Sequence, residues 1–244
     1  MQGTVLSFSL RHIMFCALCD ICAICAVTVF ASLPAAAQTA PNVQEIADFK
    51  GLHAAAHRGD MAQIEQLIRA KADLNALDRN RRTPLIVASF SRQLDAIRAL
   101  AKAGADLNAL DADRYDAVTI ASVADDETTL RLLLQLGASA KTITSRYDGS
   151  ALIAAAHLGH DGVVRQLIAA GAPLNLVNNL HWTAVIESIV LGNGGPRHQA
   201  TLKALIDAGA SLTLTDRQGN TPLQLAKSRG YSDMVKMLEL AGAK

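Results

Sequence analysis

Gly104-Ala-Asp-Leu-Asn108 stands 33 residues after Lys71-Ala-Asp-Leu-Asn75 and returns, varied, as Gly137-Ala-Ser-Ala-Lys141, Gly171-Ala-Pro-Leu-Asn175, Gly209-Ala-Ser-Leu-Thr213 and Gly242-Ala-Lys244. The spacings are 33, 33, 34, 38 and 33 residues. A second column follows 12 residues behind the first, or 13 in one case: Thr83-Pro-Leu85, Asp116-Ala-Val118, Ser150-Ala-Leu152, Thr183-Ala-Val185 and Thr221-Pro-Leu223, with Lys50-Gly-Leu-His53 as its first member. Two columns kept in step along the chain describe one structural unit used about six times.

The chemistry of the columns says what the unit is. Thr at a helix N-cap with Pro at the first helical position starts a helix. The stripes Ile64, Leu67, Ile68 and Val163, Val164, Leu167, Ile168 give a second helix an apolar face. Gly after that stripe closes the helix in the left-handed conformation. Each unit is then helix, turn, helix and an extended finger, and because one unit cannot bury its apolar face alone, stacking supplies the core. The columns resemble the ankyrin repeat, whose signature is Thr-Pro-Leu-His-x-Ala. The resemblance covers about 45–244 and implies an all-α solenoid with repeats near 45–77, 78–110, 111–143, 144–177, 178–215 and 216–244. It also implies a protein-binding module whose contacts lie on the finger tips and the concave face of the first helices.

All four cysteines lie in Cys16-Ala-Leu-Cys-Asp-Ile-Cys-Ala-Ile-Cys25. A metal or iron–sulfur cradle is a poor match, since the run has no Pro or Gly and its neighbours from Ile13 to Leu33 are nearly all apolar. Arg11 and His12 before that stretch, and Pro34 with Ala35-Ala-Ala-Gln38 after it, have the layout of an export signal cleaved after Ala37. The length of the apolar run keeps an uncleaved membrane anchor as the alternative. The expected organisation is a signal peptide over 1–37, a linker over 38–44 and the repeats over 45–244. Cleavage removes Arg11, Asp20 and every cysteine from a chain with 23 basic and 22 acidic residues, leaving a thiol-free, near-neutral protein. Export without cysteines or Asn-x-Ser/Thr sites suits a periplasm, with secretion as the alternative. Neutrality gives no electrostatic footprint for nucleic acid, and no membrane contact is expected after cleavage.

Some positions depart from the pattern. Lys71 stands where other repeats have a capping Gly, and Arg92 and Asp125 stand where Gly59, Gly159, Gly192 and Gly230 separate the helices, so locally altered turns are expected there. His53, His57, His157 and His160 recur at related repeat positions and are read as hydrogen-bonding or surface residues. The fifth repeat carries five extra residues, and Gly192, Gly194, Gly195 and Pro196 make a shaped loop that displays Arg197 and His198. Glu187 interrupts a column otherwise filled by Ala54, Val87, Ile120, Ala154 and Leu225, so it needs a partner or an upward pKa shift. Two readings stand: a ligand or carboxylate–histidine site from His181, Glu187, Arg197 and His198, or a buried Glu that fixes the loop. No nucleophile–base pair or phosphate loop follows the signal, and His53-Ala-Ala-Ala-His57 is read with the other recurring histidines as hydrogen-bonding or surface residues, so neither enzymatic activity nor a cofactor or metal is implied.

Counting back from the Thr-Pro-Leu column gives the finger tips. They carry Arg79 and Arg82, then Tyr115, then Arg146 and Tyr147, then Trp182, then Arg217. The protein has three Tyr and one Trp, and all but Tyr231 fall on these fingers. Tyr, Trp and Arg dominate interface hot spots, which points to a protein partner, with carboxylates on its surface as the complement to the arginines. The competing reading is that exposed loops collect polar residues and Trp182 packs on a neighbouring finger. Oligomeric state and partner identity are left open.

Overall fold

The computed structural model describes residues 40–244, so the expected signal segment 1–37 lies outside the described residues. Thirteen helices are described. A short one, α1 (Val43–Asp48), precedes six pairs. The pairs are α2 (Gly51–Arg58) with α3 (Met61–Arg69), α4 (Pro84–Phe90) with α5 (Leu94–Lys102), α6 (Ala117–Val123) with α7 (Glu127–Gln135), α8 (Ala151–Leu158) with α9 (Asp161–Ala169), α10 (Ala184–Val190) with α11 (Pro196–Asp207), and α12 (Pro222–Ser228) with α13 (Ser232–Leu240).

First helices pack on first helices and second on second, making two layers with the core between them. Leu85, Ile97, Leu133, Leu152, Leu167, Leu202 and Leu238 are fully buried in that seam, and Ala55, Ala56, Ala155 and Ala156 let the first helices approach closely. The N-caps fall where the sequence places them: the side chains of Thr83, Asp116, Ser150, Thr183 and Thr221 each accept from a backbone N–H three residues on.

Three expectations change. The segment 38–44 is not linker throughout: Asn42 and Glu45 form a capping box that starts α1 at Val43. Lys71, Arg92 and Asp125 do not alter their turns. They take φ of 56°, 54° and 53°, the left-handed conformation of the glycines they replace. Lys71 N–H still reaches the Ile68 carbonyl and Ala72 N–H the Leu67 carbonyl, as Gly104 and Ala105 reach Ala101 and Leu100. Arg92 and Asp125 also use their side chains, Arg92 pairing with Asp126 and Asp125 with Arg197. The third change is in the fifth repeat, where part of the insertion lengthens a helix. α11 has 12 residues against 9 in the other second helices, and Arg197 and His198 lie in its first turn, not in the loop. Pro196 at the first helical position favours that early start.

Candidate functional site

The fingers are built by one repeated hydrogen-bond device. A carboxylate or amide oxygen accepts two backbone N–H groups ahead of it: Asp78 from Asn80 and Arg82, Asp111 from Asp113 and Tyr115, Asn178 from Leu180 and Trp182, and Asp216 from Gln218 and Asn220. The fourth finger has one more residue and closes instead through a Thr144–Gly149 bridge. Neighbouring tips are then joined by main-chain bonds. Ala112 N–H reaches the Asn80 carbonyl, Ser145 that of Arg114 and Asn179 that of Tyr147, each at 2.9 Å, while the Arg217 guanidinium donates to the Asn179 carbonyl at 2.8 Å. The row is therefore a pre-ordered platform, and ordering costs on binding are small.

Each tip turns through a left-handed residue two positions before its N-cap. Gly219 takes this role in the last finger, but Arg81, Arg114, Asp148 and His181 take it in the others, with φ between 51° and 64°. A side chain in that conformation costs about 1–2 kcal/mol relative to the right-handed region. Sequence reading missed this column, although Gly219 marks it. All four side chains are exposed, so the strained turns project long or charged groups outward.

The candidate partner-binding residues separate into two groups. Arg82 is 5 % exposed, donates to Glu45 of α1 at 2.9 Å, lies 3.8 Å from Asp78 and sits over the Phe90 ring. Arg79 pairs with Asp48 at 3.1 Å. The second finger's arginines thus hold α1 in place, which corrects the expectation that Arg82 is displayed, and Asn80 adds a bond to Glu45. The central group is different. Tyr147 and Arg146 are exposed, and Tyr115 and Trp182 are half-buried on the flanking fingers. Burial, and then Asp113, raises the Tyr115 hydroxyl above the ordinary tyrosine value, with Arg146 opposing the shift. Arg114 is bonded to Asp148 at 2.7 Å, which braces the third finger against the fourth.

The fifth-repeat candidates do not meet as one site. Glu187 is 5 % exposed and accepts from Asn178 Nδ2 at 3.0 Å, and the histidine beside it is His157 of α8, with Nδ1 3.7 Å away. His181 is on the finger tip. His198 donates from Nε2 to the His157 carbonyl at 2.9 Å, and its Nδ1 lies 3.0 Å from Asn193 Oδ1. Arg197 forms a forked bond to Asp125, 72 residues earlier, and lies 3.5 Å from Asp161. Tyr231 donates to the Gly192 carbonyl at 2.9 Å. The insertion therefore ties the third repeat to the sixth. Burial pushes the Glu187 carboxyl up to about 7, with the Asn178 bond opposing, and pushes the His157 imidazole down, with His198 and His160 adding to the effect.

The His198 ring lies against Gly159, where an added Cβ would stand 2.9 Å from it and where φ is +69°. Gly159→Ala is expected to cost about 1–2 kcal/mol from the left-handed turn, with more added if His198 cannot move, and thermal unfolding will measure it. The remaining histidines have the hydrogen-bonding role read from their repetition: His53 to the Arg82 carbonyl, His57 to Ser91 Oγ and His160 to the Ser122 carbonyl.

The family model for ankyrin repeats in three copies matches overlapping stretches of this chain: 28–111, 52–144, 118–216 and 152–244. The chain is an ankyrin repeat protein. It is 36% identical over 190 residues to the ankyrin repeat protein YahD of Escherichia coli (strain K12), covering 78% of this chain and 94% of that one. An ankyrin repeat domain from Acinetobacter baumannii AYE superposes with a TM-score of 0.75 at 43% identity, over 79% of this chain and 98% of that one. One chain of the complex between a predatory endopeptidase of Bdellovibrio bacteriovorus and an immunity protein superposes with a TM-score of 0.66 at 27% identity, over 79% of this chain and 98% of that one. Ankyrin repeats are protein-interaction modules, and the repeats match this chain along the whole array described above.

Proposed function

We propose that this ankyrin repeat protein is an exported, non-catalytic adaptor that binds one partner protein in the periplasm and modulates or scaffolds it. The contact face is the row of third to fifth fingers, with Tyr115, Arg146, Tyr147 and Trp182 at its centre, His181 beside Trp182, and Arg217 at its edge. The observation that carries this reading is the platform itself. Main-chain bonds join successive tips, aromatic and Arg side chains sit on them, and strained left-handed residues are kept where glycine would be easier. Rigid aromatic anchors on an ordered surface lose little entropy on binding. The same fold occurring in a complex of an endopeptidase with an immunity protein agrees with a protein partner. The export assignment rests on the apolar N-terminal stretch and its Ala35-Ala-Ala-Gln38 site.

The test is affinity capture from a periplasmic extract of the producing organism with residues 38–244, run in parallel with a Tyr147→Ala/Trp182→Ala variant. A protein retained by the wild type and lost by the variant, with unchanged thermal unfolding, is the expected result. Equal retention by both proteins would refute the finger assignment. Cell fractionation and the intact mass of the mature chain test periplasmic residence and cleavage after Ala37, against secretion into a host or a retained anchor.

A further inference from the structure

The fifth finger differs from its neighbours in how its base is held. Asp78, Asp111 and Asp216 hold their fingers with a carboxylate, but the fifth uses Asn178. Its Oδ1 accepts from Leu180 and Trp182, and its Nδ2 donates to Glu187. Glu187 in turn faces His157 across the seam between α8 and α10. A continuous chain of polar contacts thus runs from the Trp182 backbone through Asn178 and Glu187 to an imidazole, inside a layer whose buried side chains are mostly apolar. With Asp at 178 two carboxylates would confront each other, so the Asn and the Glu belong together.

We infer that Asn178, Glu187 and His157 form a proton-operated latch on the fifth finger, which sets the placement of Trp182 and so makes partner binding through that finger pH dependent. The inference deepens the proposed function and rests on it for the binding step alone. Below neutrality Glu187 is a neutral acid that accepts the Asn178 bond in a buried seam. Above it the carboxylate is charged and buried, and the charge is relieved by drawing a proton onto His157 or by admitting water. Either response changes the pull on Asn178, whose other end holds the finger.

The groups around Glu187 bias this response. α8 supplies His157. α11 supplies His198, which bonds the His157 carbonyl, and Arg197, which is engaged by Asp125 and Asp161. α9 is preceded by His160, near Asp125. α12 carries Lys227, which is turned to Glu239 of α13. On the finger, His181 is exposed. Carboxyl burial places the transition near pH 7.

Trp182 is the chain's single tryptophan, so its fluorescence and its quenching by acrylamide report on this finger directly in the protein alone. Titration of residues 38–244 from about pH 5 to about pH 9 brackets the imidazole and raised-carboxyl range. The expected result is a sigmoidal change with its midpoint near 7, lost in Glu187→Gln, moved to higher pH in His157→Gln and kept in His181→Gln, which removes the adjacent imidazole quencher. The latch is overturned if the wild type shows no transition, if Glu187→Gln retains it, or if His181→Gln abolishes it. Circular dichroism confirms that each variant is folded, and His157→Gln keeps the test decisive if Glu187→Gln is not. Because no partner is present, failure here leaves the finger assignment standing. A titrating finger with pH-independent partner affinity would overturn the binding step instead.

Discussion

Glu187→Gln is expected to stabilise the protein at pH 8 and to leave it nearly unchanged at pH 5. The carboxyl is pushed from an ordinary value of 4.5 up to about 7, chiefly by burial. The folded state therefore holds its proton more tightly than the unfolded chain does. That contribution is fully present below the unfolded value and is lost as pH rises through the folded one. The rise from 4.5 to about 7 corresponds to about 3 kcal/mol, the full effect appearing only above the transition. Gln keeps the oxygen that accepts from Asn178 and removes the charge. Urea unfolding at the two pH values measures the difference, and an equal effect at both would show that burial does not control this group.

Glu45→Ala is the second large effect, with the opposite pH sign. The Arg82 hydrogen bond, helped by Asn42 and Asn80, holds the Glu45 carboxyl down at about 2 against burial. This stability is present above the unfolded value near 4.5 and is lost as pH falls toward 2. Removing Glu45 takes the 2.9 Å carboxylate away from Arg82, which is 5 % exposed, and releases α1 from the second finger. A cost of about 2 kcal/mol is expected, below the figure for a fully buried pair because α1 lies at the edge of the array and water screens it. Unfolding followed at pH 7 and near pH 3 should show the variant's deficit shrinking in acid. A deficit that grows instead would contradict the assignment.

The array was legible because its signals recur. Thr83, Asp116, Ser150, Thr183 and Thr221 each mark a helix start, and any one of them alone would be an ordinary polar residue. Features without a repeat were harder to read. α1 occurs once, and its Asn42-x-x-Glu45 capping box was the available cue. The burial of Arg82 follows from α1, so an arginine counted as a displayed finger residue became a structural one. Glu187 was marked by its apolar column, but its partner His157 lies one repeat earlier, and only the stacking of α8 on α10 brings them together. The Arg197–Asp125 contact spans 72 residues and depends on the lengthened α11, which spacing alone read as loop. The left-handed tips were obscured because the column has one glycine among Arg, Asp and His.

Amide hydrogen exchange of the protein alone and with its captured partner tests whether the third to fifth fingers are the partner-binding face. Binding through that face gives new protection at residues 111–115, 144–149 and 178–182, with the second-helix layer unchanged. Protection confined to α9 and α11, with the fingers exchanging as in the free protein, would contradict it.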